Sequence, residues 1–411
     1  MSAIWAASRY ALVPLRRIAD VRLGKMLQST PSLPTDREVP YLRAGSLNSL
    51  DSIEGLPTMY ASPSDLVSYT VRGGDLVITE GGDIGRAAFV PEVPPHTIIQ
   101  NSLHRVRSKC ADLRFLKYAI DWIYNTGWLD VLCNRSTFGH LTSEKIAALP
   151  IPCPSIKTQR AISKFLDVEL ARIDKLVIKK RRMIGLLEER RSGLIESLIR
   201  QVVTSNGEAP LRFFAHEITV GIVVTPSAWY ADEGVPALRG VNVSPGNVDL
   251  DELVYLTSEG HELHRKSKLR VGDVVVVRTG QAGAAAVVPP ALEDANCIDL
   301  IIIRAGPRLD SRFLEYVLNS DWTQKHVDQH SVGSIQNHFN VAAMKSIPIP
   351  SASRDVQRAI VDRLDDVTSH LDYIAKCLQR QISLLKERRD ALITVAVTGQ
   401  LDIPGVRHET G

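Results

Sequence analysis

The most restrictive feature of this 411-residue chain is that its second half repeats its first. The segment LPIPCPSIKTQRAI begins at Leu149, and IPIPSASRDVQRAI begins at Ile347, 198 positions later. The same offset relates the RFL segment at Arg114 to the RFL segment at Arg312. A repeat of about 200 residues is far longer than the unit of a solenoid. The sequence therefore predicts a duplicated pair of domains.

The first part of each half reads as a compact domain dominated by strands. Valine and isoleucine runs bounded by Gly and Pro are strand signals, and they occur in GDLVIT, RAAFVP and HTIIQ of the first half. GDVVVVRTG, AAAVVPP and IDLIIIRAG are their counterparts in the second half. The segments RFLKYAIDWI and RFLEYVLNS have the spacing of short amphipathic helices. We expect two similar α/β domains, at residues 1–150 and 205–348.

Each half then continues into a long helix, predicted at residues 151–204 and 349–403, with a tail at 404–411. Ser155 and Ser353 follow proline-rich segments and are suited to N-capping. A 3.5-residue apolar period is typical of a coiled coil, although each helix could instead pack only on its own domain. In the first helix, Leu176 lies between heptad positions and Lys180 interrupts the apolar pattern; in the second, Gln381 and Arg388 interrupt it. The predicted seam consists of Ile162, Leu166, Ile173, Leu187 and Leu194 in the first helix and Ile360, Leu364, Leu371, Leu378, Leu385 and Leu392 in the second.

Composition excludes several classes of protein. The chain is 44% hydrophobic and 23% charged, which is typical of globular proteins and not of disorder. Its five cysteines include no CxxC pair, so we expect neither a disulfide framework nor a zinc finger. There is no apolar run of the ~20 residues that a membrane span needs, and Arg9 interrupts the amino-terminal segment too early for a signal peptide. We expect a cytoplasmic protein.

Motifs of catalysis are not visible in the sequence. It contains no GxxxxGK[ST], [DN]PP[FY] or HExxH segment, and no PD…[DE]xK pattern stands out. The GGDIG run at Gly81 is interpreted as a tight hairpin turn, and a weak phosphate cradle is the alternative. His261 and His264 are expected to be solvated surface residues. No catalytic residue, metal site or cofactor is predicted.

Basic residues are more informative than the net charge of +3, which permits nucleic-acid binding without arguing for it. They cluster in HRVRSK, from His104, and in HRKSKLR, from His264. Other arginines lie beside predicted strand ends and glycine-rich loops. Such clusters attract phosphates, arginine can bond guanine, and Asn and Gln can bond adenine.

The complete layout resembles the DNA specificity subunit of type I restriction–modification systems. Its most specific parts are the two segments ending in QRAI and the carboxyl-terminal LLKERRDALITVAVTGQLDI. The RSTFGHLTSEKI segment from Arg135 is also similar to the family. The resemblance covers essentially the whole chain and implies an α+β fold with a pseudo-two-fold internal repeat. It also implies two target recognition domains joined by an intramolecular antiparallel coiled coil.

The resemblance further implies a function without catalysis. Each domain would read one half of a bipartite, asymmetric sequence in double-stranded DNA. The helices would act as a spacer and dock two methyltransferase subunits, and ATP-dependent restriction subunits would join the complex. A homodimeric coiled-coil DNA-binding regulator, or an enzyme with an unrecognised site in GGDIG, are the alternatives. The predicted DNA-contacting residues are Arg43, Ser46, Asn48, Glu80, Arg86, Asn101, Arg105, Thr137, His140, Arg239, Asn242, Arg278, Gln281, Gln336 and Asn337.

Overall fold

The computed structural model describes residues 3–6, 8–48, 55–133, 139–331 and 339–404. The chain forms two compact units. Unit 1 comprises Met1–Lys180 with Arg380–Gly411, and unit 2 comprises Arg181–Gln379. Each unit holds one strand-rich domain together with part of each long helix. Among the helices of the described ranges, none has the length and apolar character that crossing a bilayer requires.

Unit 1 is built around an antiparallel sheet with the order β2-β8-β5-β6, beside a second sheet β4-β3-β7 in which β3 and β7 are parallel. Strand β5 is buried on both faces, which explains its uninterrupted apolar sequence. Leu76 and Ile78 contribute to one core, whereas Val77 contributes to another. The strands are β1 (Leu12–Pro14), β2 (Ala19–Leu23), β3 (Arg37–Leu42), β4 (Thr58–Ala61), β5 (Leu76–Thr79), β6 (Ala87–Phe89), β7 (Ile98–Ile99), β8 (Leu103–Ser108) and β9 (Pro150–Pro152).

The helices of unit 1 cover one face of this sheet. The predicted amphipathic helix from Arg114 is confirmed, and Asp112 caps it by accepting a hydrogen bond from the Phe115 amide. Phe115 and Trp122 are buried in the core beneath it. The helices are α1 (Ala3–Ala6), α2 (Leu15–Ile18), α3 (Pro63–Tyr69), α4 (Leu113–Asn125), α5 (Trp128–Leu132), α6 (Ser143–Ala148) and the beginning of α7 (Ile156–Asn206).

Unit 2 repeats this topology with an additional edge strand, β12, in its second sheet. Its main sheet has the order β11-β20-β17-β18, and its second sheet β12-β16-β13-β19 again ends in a parallel pair, β13 with β19. The hairpin of β14 and β15 is additional. The strands are β10 (Glu208–Pro210), β11 (Ala215–Val220), β12 (Tyr230–Ala231), β13 (Val235–Leu238), β14 (Val243–Ser244), β15 (Asn247–Val248), β16 (Val254–Leu256), β17 (Val274–Val277), β18 (Ala285–Val287), β19 (Asn296–Cys297), β20 (Leu300–Ala305) and β21 (Pro348–Pro350).

The helices of unit 2 also correspond to those of unit 1. The second RFL helix is confirmed, and Asp310 caps it as Asp112 caps α4. The duplication predicted from the sequence is therefore present in the fold. The helices are α8 (Ser258–Leu263), α9 (Ser311–Leu318), α10 (Asp321–Ser331), α11 (Val341–Ser346) and α12 (Arg354–Val397).

The glutamine of each QRAI segment attaches a strand-rich domain to a long helix. Gln159 is buried, and its Oε1 accepts the Asp112 amide of the α4 cap at 2.9 Å. Gln357 is fully buried, and its Oε1 accepts the Asp310 amide of the α9 cap at 2.8 Å. Ser155 and Ser353 accept amide hydrogen bonds from the first turns, so both predicted N-caps are confirmed. The repeated motif thus encodes a repeated attachment.

A second repeated contact lies about two turns further along each long helix. The Tyr118 hydroxyl of α4 donates to Asp167 of α7 at 2.7 Å, and the Tyr316 hydroxyl of α9 donates to Asp365 of α12 at 2.6 Å. Burial and the carboxylate partner raise the pKa of Tyr316 to about 12, so the phenol remains a donor. Each strand-rich domain is held to its helix by equivalent polar contacts.

Within unit 1 the beginning of α7 packs antiparallel on the end of α12. Ile162 and Leu166 are buried in one core with Ile393 and Val397, and Leu385 and Leu392 pack partly buried against it. Asp174 Oδ1 and Arg389 Nε lie 3.7 Å apart, at a later position in α7 and an earlier position in α12 than the buried residues of this core. Residue numbers thus rise along one helix while they fall along the other. Leu176, assigned to the apolar pattern, is 45% exposed and does not belong to this core.

Two of the polar residues that interrupt the apolar pattern contact each other in unit 1. The Lys180 ammonium donates a hydrogen bond to the Gln381 side-chain oxygen. A polar pair at this position fixes the register of two helices, because any slip would separate the donor from its acceptor.

In unit 2, the end of α7 packs against the beginning of α12. Ile195, Ile199 and Val202 share a core with Val361 and Leu364. Here the prediction needs a correction: Leu187 and Leu194 are only partly buried, and Ile195 is buried instead of Leu194. A straight helix drifts by about 20° per heptad from a strict seven-residue repeat, so the buried stripe moves to neighbouring positions.

The second helix follows its heptads more closely in unit 2. Leu364, Leu371 and Leu378 are buried, whereas Ile360 is partly buried. Arg191 of α7 and Asp372 of α12 approach to 3.5 Å, again with antiparallel numbering. The predicted seam residues of both helices are therefore buried or partly buried inside the chain in each unit.

Candidate nucleic-acid interface

The predicted DNA-contacting loop at Glu80–Arg86 is the turn of a hairpin between β5 and β6. Gly82 and Gly85 have φ angles of +73° and +86°, which favour glycine. A Cβ atom on Gly85 would also lie 2.1 Å from a Leu129 methyl group. The interpretation of GGDIG as a tight turn is confirmed, because its glycines serve backbone geometry and close packing.

Glu80 and His140 meet at the edge of this turn. The Glu80 carboxylate lies 2.8 Å from His140 Nδ1, and the His140 side chain is 56% exposed. The Leu141 amide donates to the Glu80 carbonyl, and buried His104 Nε2 lies 2.6 Å from the Leu141 carbonyl. Burial lowers the pKa of His104, so the ring is neutral and can donate from Nε2. This network fixes the exposed imidazole of His140 to the sheet.

Further candidates of the first domain surround the same turn. Arg86 extends from the turn toward Asp83, at 3.8 Å, and toward the Leu47 carbonyl. Arg43 is exposed, and its amide donates to Ser46 Oγ at 3.2 Å. These side chains form a partly exposed polar surface on one loop cluster.

The prediction that the HRVRSK segment offers Arg105 to DNA is wrong. His104 is fully buried, and Arg105 is only 5% exposed, with its guanidinium donating to the Thr70 carbonyl. Arg107 pairs with Asp75 at 2.6 Å, which raises the pKa of the arginine. The segment is strand β8, and both faces of that strand are covered by other elements. Arg105 is therefore withdrawn from the candidate interface.

The second domain presents its own residues at the corresponding turn. Arg278 follows β17, and its Nη1 donates to Asp299 Oδ1 at 2.6 Å, while its Nε donates to the Phe339 carbonyl at 3.2 Å. Gln281 is exposed in the same turn. The Arg278 guanidinium is thus committed to protein partners, and Asp299 is the more exposed member of the pair.

The Arg239–Asn242 candidates are only partly suited to binding. Asn242 is 4% exposed, and its side chain accepts the Arg239 amide and donates to the Asp251 carbonyl. It stabilises its own loop, so its assignment to DNA contact is withdrawn. Arg239 is partly exposed, and its Nη2 donates to the Glu252 carbonyl.

Several predicted contacts cannot be placed. Thr137, Gln336 and Asn337 lie outside the described residues, as do most of the predicted loops at residues 135–140 and 334–337. Asn48 ends a short 3-10 helix, Ala44–Asn48. These assignments remain predictions.

The prediction that His261 and His264 are solvated surface residues is wrong for His261. His261 is 6% exposed rather than solvated, and its Nδ1 lies 2.8 Å from the buried Asn296 amide. It belongs to α8, whose Gly260 is closely approached by Trp229. In the described part of the chain, no cluster of three or more His, Cys, Asp or Glu side chains could hold a metal ion.

Sequence reasoning missed Asp299, which becomes visible only when the two domains are compared. The Asn101 amide donates to the Lys25 carbonyl at 2.9 Å, and the Asp299 amide donates to the Ile222 carbonyl at 3.0 Å. Asn101, a predicted and half-buried candidate, therefore occupies the position of Asp299. The signal was available, because the offset of 198 residues relates these two positions.

Comparison with known proteins connects this architecture to one family. Residues 8–180 match the family model described as the type I restriction modification DNA specificity domain. The chain is 22% identical over 423 residues to the type I restriction enzyme EcoBI specificity subunit of Escherichia coli, covering 95% of this chain and 85% of that protein. It is 18% identical over 283 residues to the MjaVIII specificity subunit of Methanocaldococcus jannaschii, covering 64% of this chain and 65% of the relative.

A solved structure shares the fold. A chain from work on complex assembly and conformational transition of the type I R-M system aligns with a TM-score of 0.67 at 17% identity, covering 95% of this chain and 98% of that chain. The antiparallel helix pairing and the paired recognition-type domains agree with that likeness. The resemblance predicted from the sequence is confirmed: the chain is a homologue of the specificity subunits of type I restriction–modification systems.

Proposed function

We propose that this chain is a DNA specificity subunit that reads a bipartite, asymmetric duplex sequence, one half-site per domain. The observation that carries the proposal is that each domain holds a loop cluster with the same backbone hydrogen bond. The Leu141 amide bonds the Glu80 carbonyl in the first domain, as the Phe339 amide bonds the Arg278 carbonyl in the second. Because the backbone of the two loop clusters is arranged alike, we infer that both bind the same kind of ligand. Because their side chains differ, we infer that they read different base sequences.

The charges at these matched positions are opposite. A carboxylate, Glu80, holds an exposed imidazole in the first domain, whereas a guanidinium, Arg278, holds an exposed carboxylate in the second. A symmetric target would require two domains of the same surface chemistry. The inversion therefore supports an asymmetric target.

Partners would supply the chemistry. The subunit would dock two methyltransferase subunits, join ATP-dependent restriction subunits, and work in the cytoplasm, where the chromosomal and invading DNA lie. In unit 2, Met183, Leu186 and Tyr373 are 49%, 53% and 66% exposed on the long helices. Apolar side chains on an exposed helix face favour a protein partner. The chain itself would carry no catalytic step, so alone it should not methylate DNA with S-adenosylmethionine.

A homodimeric regulator is less well supported. Its heptads would have to pair between chains, yet the predicted seam residues of α7 and α12 are already buried or partly buried within each unit. Sedimentation of the purified chain should give a monomer. A dimer that dissociates only when the helices unfold would favour the regulator.

A domain exchange tests the proposed function. Residues 1–150 are replaced by those of a relative with a different target, and bound duplexes are selected from a randomised library. We expect one half of the selected sequence to change and the other half to remain. A change in both halves, or in neither, would contradict one domain per half-site.

A further inference from the structure

An open pocket of about 590 Å³ lies in the second domain at the turn that follows β17. Its apolar walls are Ile222, Val223, Pro226 and Ile298, and its polar groups are Arg278 and Asp299. Ile222 and Ile298 are buried, so the walls are anchored in the domain core. Val223 and the adjacent Val224 are 49% and 75% exposed, so the rim presents apolar side chains to the outside.

Asp299 is held in a strained position. Its φ angle is +53°, in the left-handed region that few residues other than glycine, Asn and Asp adopt. Thr225, on the loop between Val224 and Pro226, has a φ of +41°. Left-handed residues of this type cost of order 1–3 kcal/mol each, and they cluster at binding sites. Two of them flank this pocket.

The carboxylate of Asp299 retains a free acceptor. Oδ1 accepts from Arg278 Nη1 at 2.6 Å. Oδ2 has only a long contact of 3.4 Å from the Thr279 hydroxyl among the described residues. The side chain is 34% exposed, whereas that of Arg278 is 16% exposed. The pair therefore directs one carboxylate oxygen outward, and the guanidinium offsets its charge.

The corresponding position of the first domain has different chemistry. Lys25 stands where the second domain has Ile222, and Asn101 stands where it has Asp299, as the matched backbone hydrogen bonds show. The Lys25 ammonium pairs with Asp65 at 2.9 Å. Equivalent backbone positions thus carry an apolar pocket with an Asp299–Arg278 ion pair in the second domain, and a lysine beside an amide in the first. Structural support alone would not require this exchange of chemistry.

We propose that Asp299 is a specificity-determining residue, whose Oδ2 accepts a hydrogen bond from the exocyclic amine of a base in the second half-site. The amine is N4 of cytosine or N6 of adenine, both of which point into the major groove. Val223 and Val224 contact the apolar edge of the same or the neighbouring base. Because Arg278 offsets the charge of the carboxylate at 2.6 Å, the contact contributes discrimination between bases and little to general affinity for DNA. This inference rests on the proposed function, because it assigns a base contact to one half-site.

The test combines a protein variant with a DNA variant. Asp299→Asn suits the left-handed backbone and removes the charge. Because Arg278 donates to Oδ1, the amide oxygen should keep that position, and the amide NH2, a donor, should replace the Oδ2 acceptor. The wild-type chain, assembled with its methyltransferase subunits, first selects a target from random duplexes. Wild type and variant are then titrated with that target and with versions that lack one exocyclic amine, using 2-pyrimidinone for cytosine or purine for adenine. The position that responds identifies which base supplies the amine.

We expect deletion of one amine in the second half-site to weaken wild-type binding by about 5- to 100-fold, corresponding to 1–3 kcal/mol for a specific base contact. The same deletion should hardly affect Asp299→Asn. Asp294→Asn is the matched control, since Asp294 is in the same unit, has a φ of +58°, and does not line the pocket. It should respond to amine deletion as wild type does.

The outcomes separate the inference from the proposed function. If every amine deletion weakens wild type and Asp299→Asn equally, Asp299 reads no amine and the inference is wrong. Retained discrimination at the first half-site shows that the variant is folded. If the wild-type complex selects no sequence at all, the proposed function itself fails.

Discussion

The buried glutamine of the second QRAI segment should control the attachment of α9 to α12. In Gln357→Ala, the Asp310 amide loses its acceptor at 2.8 Å, and the Arg308 and Ala352 carbonyls each lose a donor at 2.9 Å. Each bond contributes about 1 kcal/mol net, and unpaired buried groups cost about 1–3 kcal/mol each. We expect a loss of at least ~3 kcal/mol in the local free energy of opening.

Hydrogen exchange is the suitable assay, because a chain with two compact units need not unfold in one transition. A loss of ~3 kcal/mol should accelerate exchange of the α9 amides by about 100-fold. The amides of α4, which Gln159 attaches to α7, should keep their wild-type rates. Gln159→Ala should give the reciprocal pattern.

The neighbouring arginine is the matched control. Arg358 belongs to the same motif and is exposed, so Arg358→Ala should leave α9 exchange unchanged. Equal acceleration in Arg358→Ala, or unchanged exchange in Gln357→Ala, would refute the attachment role of the glutamine.

Three further predictions concern the helices and pH. Leu364→Ala, at 1% exposure, should destabilise unit 2 by about 2–5 kcal/mol in its urea transition, whereas Leu186→Ala, at 53% exposure in the same unit, should cost less than about 0.5 kcal/mol. Similar losses would contradict the packing. The pKa of His104 is lowered below 6.5, so the unfolded state takes up a proton first as pH falls, and stability should decline below about pH 6.5; His104→Gln should show a shallower decline between pH 7.5 and 5.5, and an unchanged slope would exclude His104 as the cause. Inserting four residues between Leu187 and Leu194, with a matching insertion in the facing stretch of α12, adds about 6 Å and should lengthen the gap between half-sites; an unchanged gap would show that the helices do not set it.

The duplication and the element order could be predicted from the sequence, because both depend on local patterns. The apolar run GDVVVVRTG became β17, and RFLEYVLNS became α9. The heptads identified the second helix correctly as far as Leu378, but Ile195 replaced Leu194 in the first. The drift of a straight helix from a seven-residue repeat makes Ile195 the buried residue. Which residue is buried also depends on the position of the partner helix, which the sequence pattern does not specify.

The candidate interface was less predictable. Arg105 looked exposed in a basic run, yet a second sheet covers the outer face of its strand, so the side chain is buried. Asn242 looked like a loop residue able to read adenine, yet its amide closes its own loop. Asp299 stands beside Arg278 only because the end of β17 meets the beginning of β20, which no local pattern reveals.

The central claim is that two homologous domains on one helix pair read two separate half-sites. Selection of duplexes from a fully randomised library by the full chain with its methyltransferase subunits tests it most directly. We expect two different informative blocks, separated by an uninformative gap of constant length. A single block, two identical blocks, or two blocks at variable separation would contradict the account.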